Sequence, residues 1–128
     1  MDFGTIFNHE TTYPLELRHP LSGELTGVTW RIKSPHSESV KAAVRKLLDD
    51  ETEQAVITAA PLKVATLEKR NAAILAAHVA SWDWGGHTFH GSVPDFSPEK
   101  VAEILLSESW IYDQVAKAKG KIGNFTAG

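Results

Sequence analysis

The stretch YPLELRHPLSGELTGVTWRIK, residues 13–33, decides how the N-terminal part of this chain folds. Apolar and polar side chains alternate in two short runs, with the apolar positions at Tyr13, Leu15, Leu17, Val28, Trp30 and Ile32. A period of two is typical of half-buried β-strands. Between the runs, Pro20 presets the backbone angle of a turn, and Gly23 tolerates the positive φ that closes it. The stretch therefore predicts a β-hairpin.

The residues on either side of this hairpin complete a single domain. Residues 1–12 show no period and are predicted to form a flexible N-terminal arm, and residues 120–128 are predicted to form a flexible C-terminal tail. A chain of 128 residues fits one compact core, so one globular domain is expected over residues 13–119.

A first helix is predicted directly after the hairpin. Ser34 or Ser37 can cap its N-terminus. One apolar face recurs at helical spacing, at Val40, Ala43, Val44, Leu47 and Leu48. The acidic residues at 49–53 are interpreted as a solvated face, and Pro61 is expected to break the helix.

A second, longer helix is predicted over residues 62–82. Its buried stripe has helical spacing, at Val64, Leu67, Asn71, Ile74, Leu75, His78, Val79 and Trp82. Small side chains beside this stripe would let a neighbouring helix approach closely, at Ala72, Ala73, Ala76, Ala77 and Ala80. The pair Gly85 and Gly86 is expected to end the helix.

Two short helices are predicted in the remaining part of the chain. Ser97 followed by Pro98 caps a helix that buries Val101, Ile104 and Leu105. Ser107 or Ser109 is expected to cap a final helix, which carries Trp110, Ile111 and Val115. The fold class is therefore α+β and mostly α, with an N-terminal β-hairpin followed by about four helices within residues 35–119.

Composition excludes several classes of function. Sixteen acidic and thirteen basic residues give a net charge of −3, whereas nucleic-acid binders carry a basic excess. The absence of cysteine excludes disulfides and thiolate metal sites. No run approaches the roughly 18 apolar residues of a membrane span. Because there is no glycine-rich phosphate loop either, we predict no cofactor, no nucleic acid and no membrane among its ligands.

Catalytic patterns are equally absent from the sequence. There is no Gly-x-Ser-x-Gly motif, and the prominent serines are interpreted as helix caps. The one local grouping that resembles a metal site is His87 and His90, to which Asp83 or Asp95 would have to be added. A small metal-dependent hydrolase using these histidines is a minor alternative. We predict no catalytic and no metal-binding residue.

The order of these features resembles the small tail assembly chaperones of long-tailed phages and prophages. The likeness is carried by the turn at 19–24 (HPLSGE), the helix at 70–79 running into residues 81–83, and the segment 93–99 (VPDFSPE). A final helix that opens with Ser109, Trp110 and Ile111, and a terminal Asn124 and Phe125, are also similar. His19 replaces the family's usual acidic turn residue, and residues 86–90 have no counterpart.

This resemblance implies a non-enzymatic protein of the bacterial host cytoplasm. Such a chaperone binds the tape measure protein before the tail tube forms, has the major tail protein as a further partner, assembles as a homo-oligomer and is absent from the virion. Partner-binding residues are expected at Ala73, Ala76, Ala77, Trp84 and Trp110. A structural protein of the tail or head-tail region is the alternative, since it would differ in remaining in the particle.

Overall fold

The computed structural model describes residues 8–58 and 64–125, and these form three strands and four α-helices. The strands are β1 (Thr12–Arg18), β2 (Leu25–Lys33) and β3 (Val79–Asp83). The helices are α1 (Glu38–Thr58), α2 (Val64–Ala76), α3 (Pro98–Ser107) and α4 (Ser109–Lys119), followed by a 3₁₀ helix at Ile122–Phe125. The predicted α+β class is confirmed. The predicted break at Pro61 lies outside the described residues.

The β-hairpin is confirmed as β1 and β2, which pair antiparallel with Leu15 opposite Trp30. Its turn is closed by two backbone hydrogen bonds, from the His19 amide to the Glu24 carbonyl at 2.8 Å and from the Gly23 amide to the His19 carbonyl at 2.9 Å. Gly23 has a φ of 73°, which glycine adopts without the steric cost that a side chain would add.

The single long helix predicted over residues 62–82 is wrong. α2 ends at Ala76, and residues 79–83 form β3, which pairs with β2 and places Trp82 opposite Trp30. The sheet order is therefore β1-β2-β3, with β2 in the centre. Without β3, one edge of β2 would have unpaired backbone groups beside the core, and that cost outweighs the helical spacing of the side chains.

The core lies between the sheet and helices α2, α3 and α4. Fully buried side chains come from every one of these layers, among them Trp30, Ile32, Ala72, Val101, Ile104 and Val115. Among its described side chains, α1 contributes none to this core cluster. α1 instead packs against α2, and Val40 in its first turn is buried.

In the described part of the chain, residues near both ends make contacts with the rest of the fold. Phe125 is 1% exposed, and its carbonyl oxygen accepts a hydrogen bond from the Asn8 amide at 2.8 Å. His9 Nδ1 lies 2.7 Å from the buried Ser34 hydroxyl, and Glu10 accepts a hydrogen bond from the first amide of α1. Residues 1–7 and 126–128 of the predicted arm and tail lie outside the described residues.

Two of the predicted helix caps are confirmed and one is wrong. Ser37 accepts a hydrogen bond from the Val40 amide at 3.2 Å, and Ser97 accepts one from the Lys100 amide at 3.0 Å. For α4, the N-cap is Glu108, and no side chain caps the helix. Its backbone follows α3 after a single residue, so neither Ser107 nor Ser109 has the position that capping requires.

Candidate partner-binding groove

Three of the five predicted partner-binding residues lie together in one groove. Ala73, Ala76 and Ala77, at the C-terminal end of α2 and just beyond it, line a cavity of about 580 Å³ that is open to solvent. The other walls come from α1, β3, the segment before α3, and α3 itself. Their apolar contributions are Ala43, Leu47, Val79, Ala80, Phe96, Pro98 and Ala102.

The groove exists because small side chains meet a helix that stands apart from the core. Ala76 is 3% exposed, and Ala73 and Ala77 are half-buried, so their methyl groups leave space that larger residues would fill. On the facing side, Ala43 and Leu47 of α1 are also half-buried. The result is a channel whose surface is mostly methyl and methylene groups.

Charged groups on the rim of this groove balance one another. Lys33 and Lys46 are opposed by Asp50 and Glu99. With two charges of each sign, the rim creates little net field, so electrostatics does not select a strongly acidic or strongly basic ligand. Shape and apolar burial therefore determine what the groove can hold. An amphipathic helix, which presents an apolar stripe at positions i, i+3, i+4 and i+7, fits this chemistry.

Phe96 is a groove residue that the sequence analysis did not identify as a site. It is 41% exposed and packs edge-to-face on Trp82, with ring centroids 5.3 Å apart. Trp82 in turn contacts Trp30 at 5.2 Å and Trp84 at 5.5 Å. The only sequence signal was an aromatic residue between Pro94 and Pro98. Phe96 therefore connects the groove to the aromatic part of the core.

The other two predicted partner-binding residues do not reach this groove. Trp84 is 7% exposed, and its indole N–H has no hydrogen-bond partner among the described residues. It is therefore a core residue, held by edge-on contacts with Trp30 and Trp82. Trp110 is half-buried on α4, packs against the core, and donates its indole N–H to the Glu108 carboxylate at 3.0 Å. Trp110 does not line the groove.

His87 and His90, the residues of the metal-site alternative, are both exposed. His90 has a φ of 53° and its ring packs on Phe89, with centroids 4.3 Å apart. The Asp83 carboxylate accepts a hydrogen bond from the Gly85 amide at 2.8 Å, and this bond stabilises the turn after β3. Among the described residues, no three His, Asp or Glu side chains are grouped closely enough to hold a metal ion.

Comparison with known proteins gave no match to any protein-family model, to any curated protein or to any solved structure. In the described ranges, none of the helices has the length and apolar character needed to cross a membrane. The groove between α1, α2 and α3, which contains Ala73, Ala76 and Ala77, is the candidate functional site.

Proposed function

We propose that this chain is a tail assembly chaperone of a long-tailed phage or prophage, which binds an amphipathic helical segment of the tape measure protein in the groove. The observation that supports this proposal best is the solvent-open groove of about 580 Å³ lined by alanine side chains. It acts by binding and not by catalysis. The resemblance that suggests the family extends over residues 13–125.

The chemistry of the groove matches the needs of such a partner. A tape measure protein is long and helical, and its apolar stripes would aggregate if they remained in contact with water. Alanines allow the backbone of a bound helix to come close, so that its larger side chains fill the cavity. Phe96, at the rim, supplies an exposed aromatic surface, and aromatic anchors contribute strongly to protein interfaces.

Copy number and location follow from the same proposal. A long partner presents many binding segments, so a homo-oligomer gains affinity through multivalency. Such a chaperone works in the bacterial host cytoplasm, contacts the major tail protein as the tube grows, and leaves before the particle is finished. Mass spectrometry of mature particles distinguishes it from a structural tail or head-tail protein, because only the latter would be detected.

A matched pair of variants on α1 tests whether the groove binds the partner. Ala43 lines the groove, whereas its neighbour Ala42 is exposed and lies outside it. We expect Ala43→Arg to place a charged chain in the groove and to abolish binding, while Ala42→Arg leaves binding unchanged. Both variants add the same charge to the same helix, so differences in helix propensity or net charge cannot explain a different result.

The assay is co-expression with a tape measure protein of the phage or prophage to which this proposal assigns the chain. The wild type and Ala42→Arg should keep the partner in the soluble fraction, and Ala43→Arg should leave it in the pellet. Circular dichroism and thermal unfolding of the purified variants establish that both fold. A tape measure protein that is soluble without this chain contradicts the chaperone function. Equal solubilisation by the two variants contradicts the role of the groove.

A further inference from the structure

One edge of the sheet borders a second groove, which is separate from the apolar groove between α1, α2 and α3. Because the sheet order is β1-β2-β3, β1 is an edge strand. The second groove has a volume of about 820 Å³ and lies between β1, the hairpin turn and α4. Residues 13–16 of β1 line it, and it shares no lining residue with the apolar groove. We call it the edge groove.

Alternate residues of β1 point their backbone groups away from β2 and toward this groove. The side-chain amide of Gln114 on α4 accepts a hydrogen bond from the Arg18 N–H at 2.9 Å and donates one to the Arg18 carbonyl at 2.8 Å. In an antiparallel strand, the N–H and C=O groups of every second residue point to the same side. The bulge between Glu16 and Arg18 adds residues to β2 and none to β1, so this alternation continues along β1. The backbone groups of Glu16 and Pro14 therefore also point outward. A proline fits such a position, because its missing N–H costs no bond to β2.

Gln114 occupies only one end of this strand edge. Its amide bonds both the N–H and the C=O of one residue, which is the pattern that a neighbouring strand would make. Pro14 and Glu16 have no equivalent partner: outside the pairing of β1 with β2, none of the hydrogen bonds in the described part of the chain involves either residue. Both residues are exposed. The Glu16 N–H and the carbonyl groups of Pro14 and Glu16 are thus open to a ligand that has both donors and acceptors.

The charged side chains of the edge groove are mostly basic. Arg18, Lys117 and Lys121 line it and are exposed, and Glu16 is the sole carboxylate among its described lining residues. On a chain with a net charge of −3, this is a local basic surface. Within the described ranges these three cations form no ion pair. Carboxylates of a ligand would therefore gain charge complementarity here without displacing an existing pair.

We propose that the edge groove binds an extended, acidic segment of a partner protein, which adds to the sheet as a fourth strand beside β1. The backbone of this segment would pair with Pro14 and Glu16, and carboxylates at alternate positions would face Lys117 and Lys121. A phosphodiester backbone fits less well, since its phosphates accept hydrogen bonds but cannot donate to the two carbonyl groups. A second copy of the chain is disfavoured, because two edge grooves brought together would oppose like charges. The site goes beyond the proposed binding of the tape measure protein, which uses the apolar groove.

The probe for this site is a labelled eight-residue peptide of alternating glutamate and valine with blocked ends, whose carboxylates all lie on one face of a strand. Fluorescence anisotropy at low salt should show that it binds, and that a peptide of alternating lysine and valine does not. Lys117→Gln/Lys121→Gln should weaken binding of the acidic peptide by about tenfold or more. The control, Lys41→Gln/Lys69→Gln, removes the same charge from exposed positions outside the groove and should bind like the wild type.

Amide hydrogen exchange at Glu16 distinguishes strand addition from charge attraction alone. Measured by NMR, the Glu16 N–H should exchange at least about tenfold more slowly when the acidic peptide is saturating, because it gains a hydrogen-bond acceptor. A matched pair of variants tests the same group. Glu16→Pro deletes the outward N–H and should weaken binding, whereas Glu16→Ala keeps the N–H, removes a like charge and should bind at least as well as the wild type. Circular dichroism establishes whether both variants fold, and the exchange measurement needs neither of them.

Three results would overturn the proposal. The first is that the acidic peptide does not bind the wild type, and the second is that it binds but leaves exchange at Glu16 unchanged. The third is that an oligothymidylate of equal charge binds more tightly than the peptide, which would indicate a nucleic-acid site. These experiments use the chain alone with synthetic ligands, so their failure is distinct from a failure of the tape measure protein to bind the apolar groove.

Discussion

Replacing Gly85 by alanine tests the close contact that holds the end of β3 against β2. Gly85 has a φ of 58°, and a Cβ added there would overlap the carbonyl oxygen of Gly27 in β2. Neither atom is at the end of a flexible side chain, so the backbone must shift to relieve the contact. Gly85 lies just after β3, the strand that replaces the end of the predicted helix, so this substitution probes the corrected part of the fold.

The magnitude follows from two separate costs. An alanine at positive φ costs about 1–2 kcal/mol. Relief of an overlap in a packed region costs about a further 1–3 kcal/mol. We therefore expect Gly85→Ala to lower the free energy of unfolding by about 2–5 kcal/mol. Gly86 provides the control, because it has a φ of 86° but no heavy atom lies within 4 Å of an added Cβ. Gly86→Ala should therefore show only the cost of an alanine at positive φ.

Urea denaturation followed by tryptophan fluorescence measures both variants. Trp82 and Trp84 lie at and beside the affected strand, so their emission reports its loss. Linear extrapolation gives the free energy of unfolding in water, and the slope shows whether the transition remains two-state. If the free energies of unfolding of Gly85→Ala and Gly86→Ala differ by less than about 0.5 kcal/mol, a Cβ at position 85 does not overlap the Gly27 carbonyl oxygen and the prediction is wrong.

Two further predictions concern the pH dependence of stability and the capping of helices. Burial lowers the pKa of His78 below its ordinary value of 6.5, so the unfolded chain takes up this proton before the folded chain does. The contribution of neutral His78 to the free energy of unfolding is fully present above pH 6.5. As the pH falls from there to the folded pKa, the free energy of unfolding decreases by at most about 1.4 kcal/mol per pH unit. In His78→Asn, the side-chain amide can replace the Nδ1–H that donates to the Ile74 carbonyl. Urea titrations at different pH should show a weaker dependence of the free energy of unfolding on pH for this variant. An unchanged pH dependence would refute the assignment of the effect to His78. Ser97→Ala should destabilise the protein by about 1 kcal/mol in the same assay, whereas Ser109→Ala should have almost no effect, and equal losses would contradict the observed caps.

Elements with strong local signals were predictable from the sequence. The hairpin combines a period of two with a proline and glycine turn, and α3 combines a serine cap, a proline and a clear apolar face. Such signals act over a few residues, so the rest of the fold does not need to be known. Phe125 shows the opposite case, because nothing near it indicates that its side chain reaches the core or that Asn8 bonds its carbonyl group.

The candidate groove was predictable only in part for the same reason. A cluster of alanines indicated a place for close packing, and Ala73, Ala76 and Ala77 do line the groove. Its opposite wall on α1 and the aromatic edge at Phe96 come from distant parts of the chain. Trp84, which directly precedes Gly85 and Gly86, is buried by partners that no local pattern identifies.

By itself the sequence determined a cysteine-free α+β domain with a hairpin, four helices in the described part and no assembled catalytic motif. Residues 79–82 continue the helical spacing of the preceding stripe, so the local pattern predicted a helix where the structure has a strand. The tertiary structure decided it, because the edge of β2 requires hydrogen-bond partners, and pairing there places Trp82 against Trp30. That pairing ends α2 at Ala76 and leaves the alanines facing α1, which is where the groove forms.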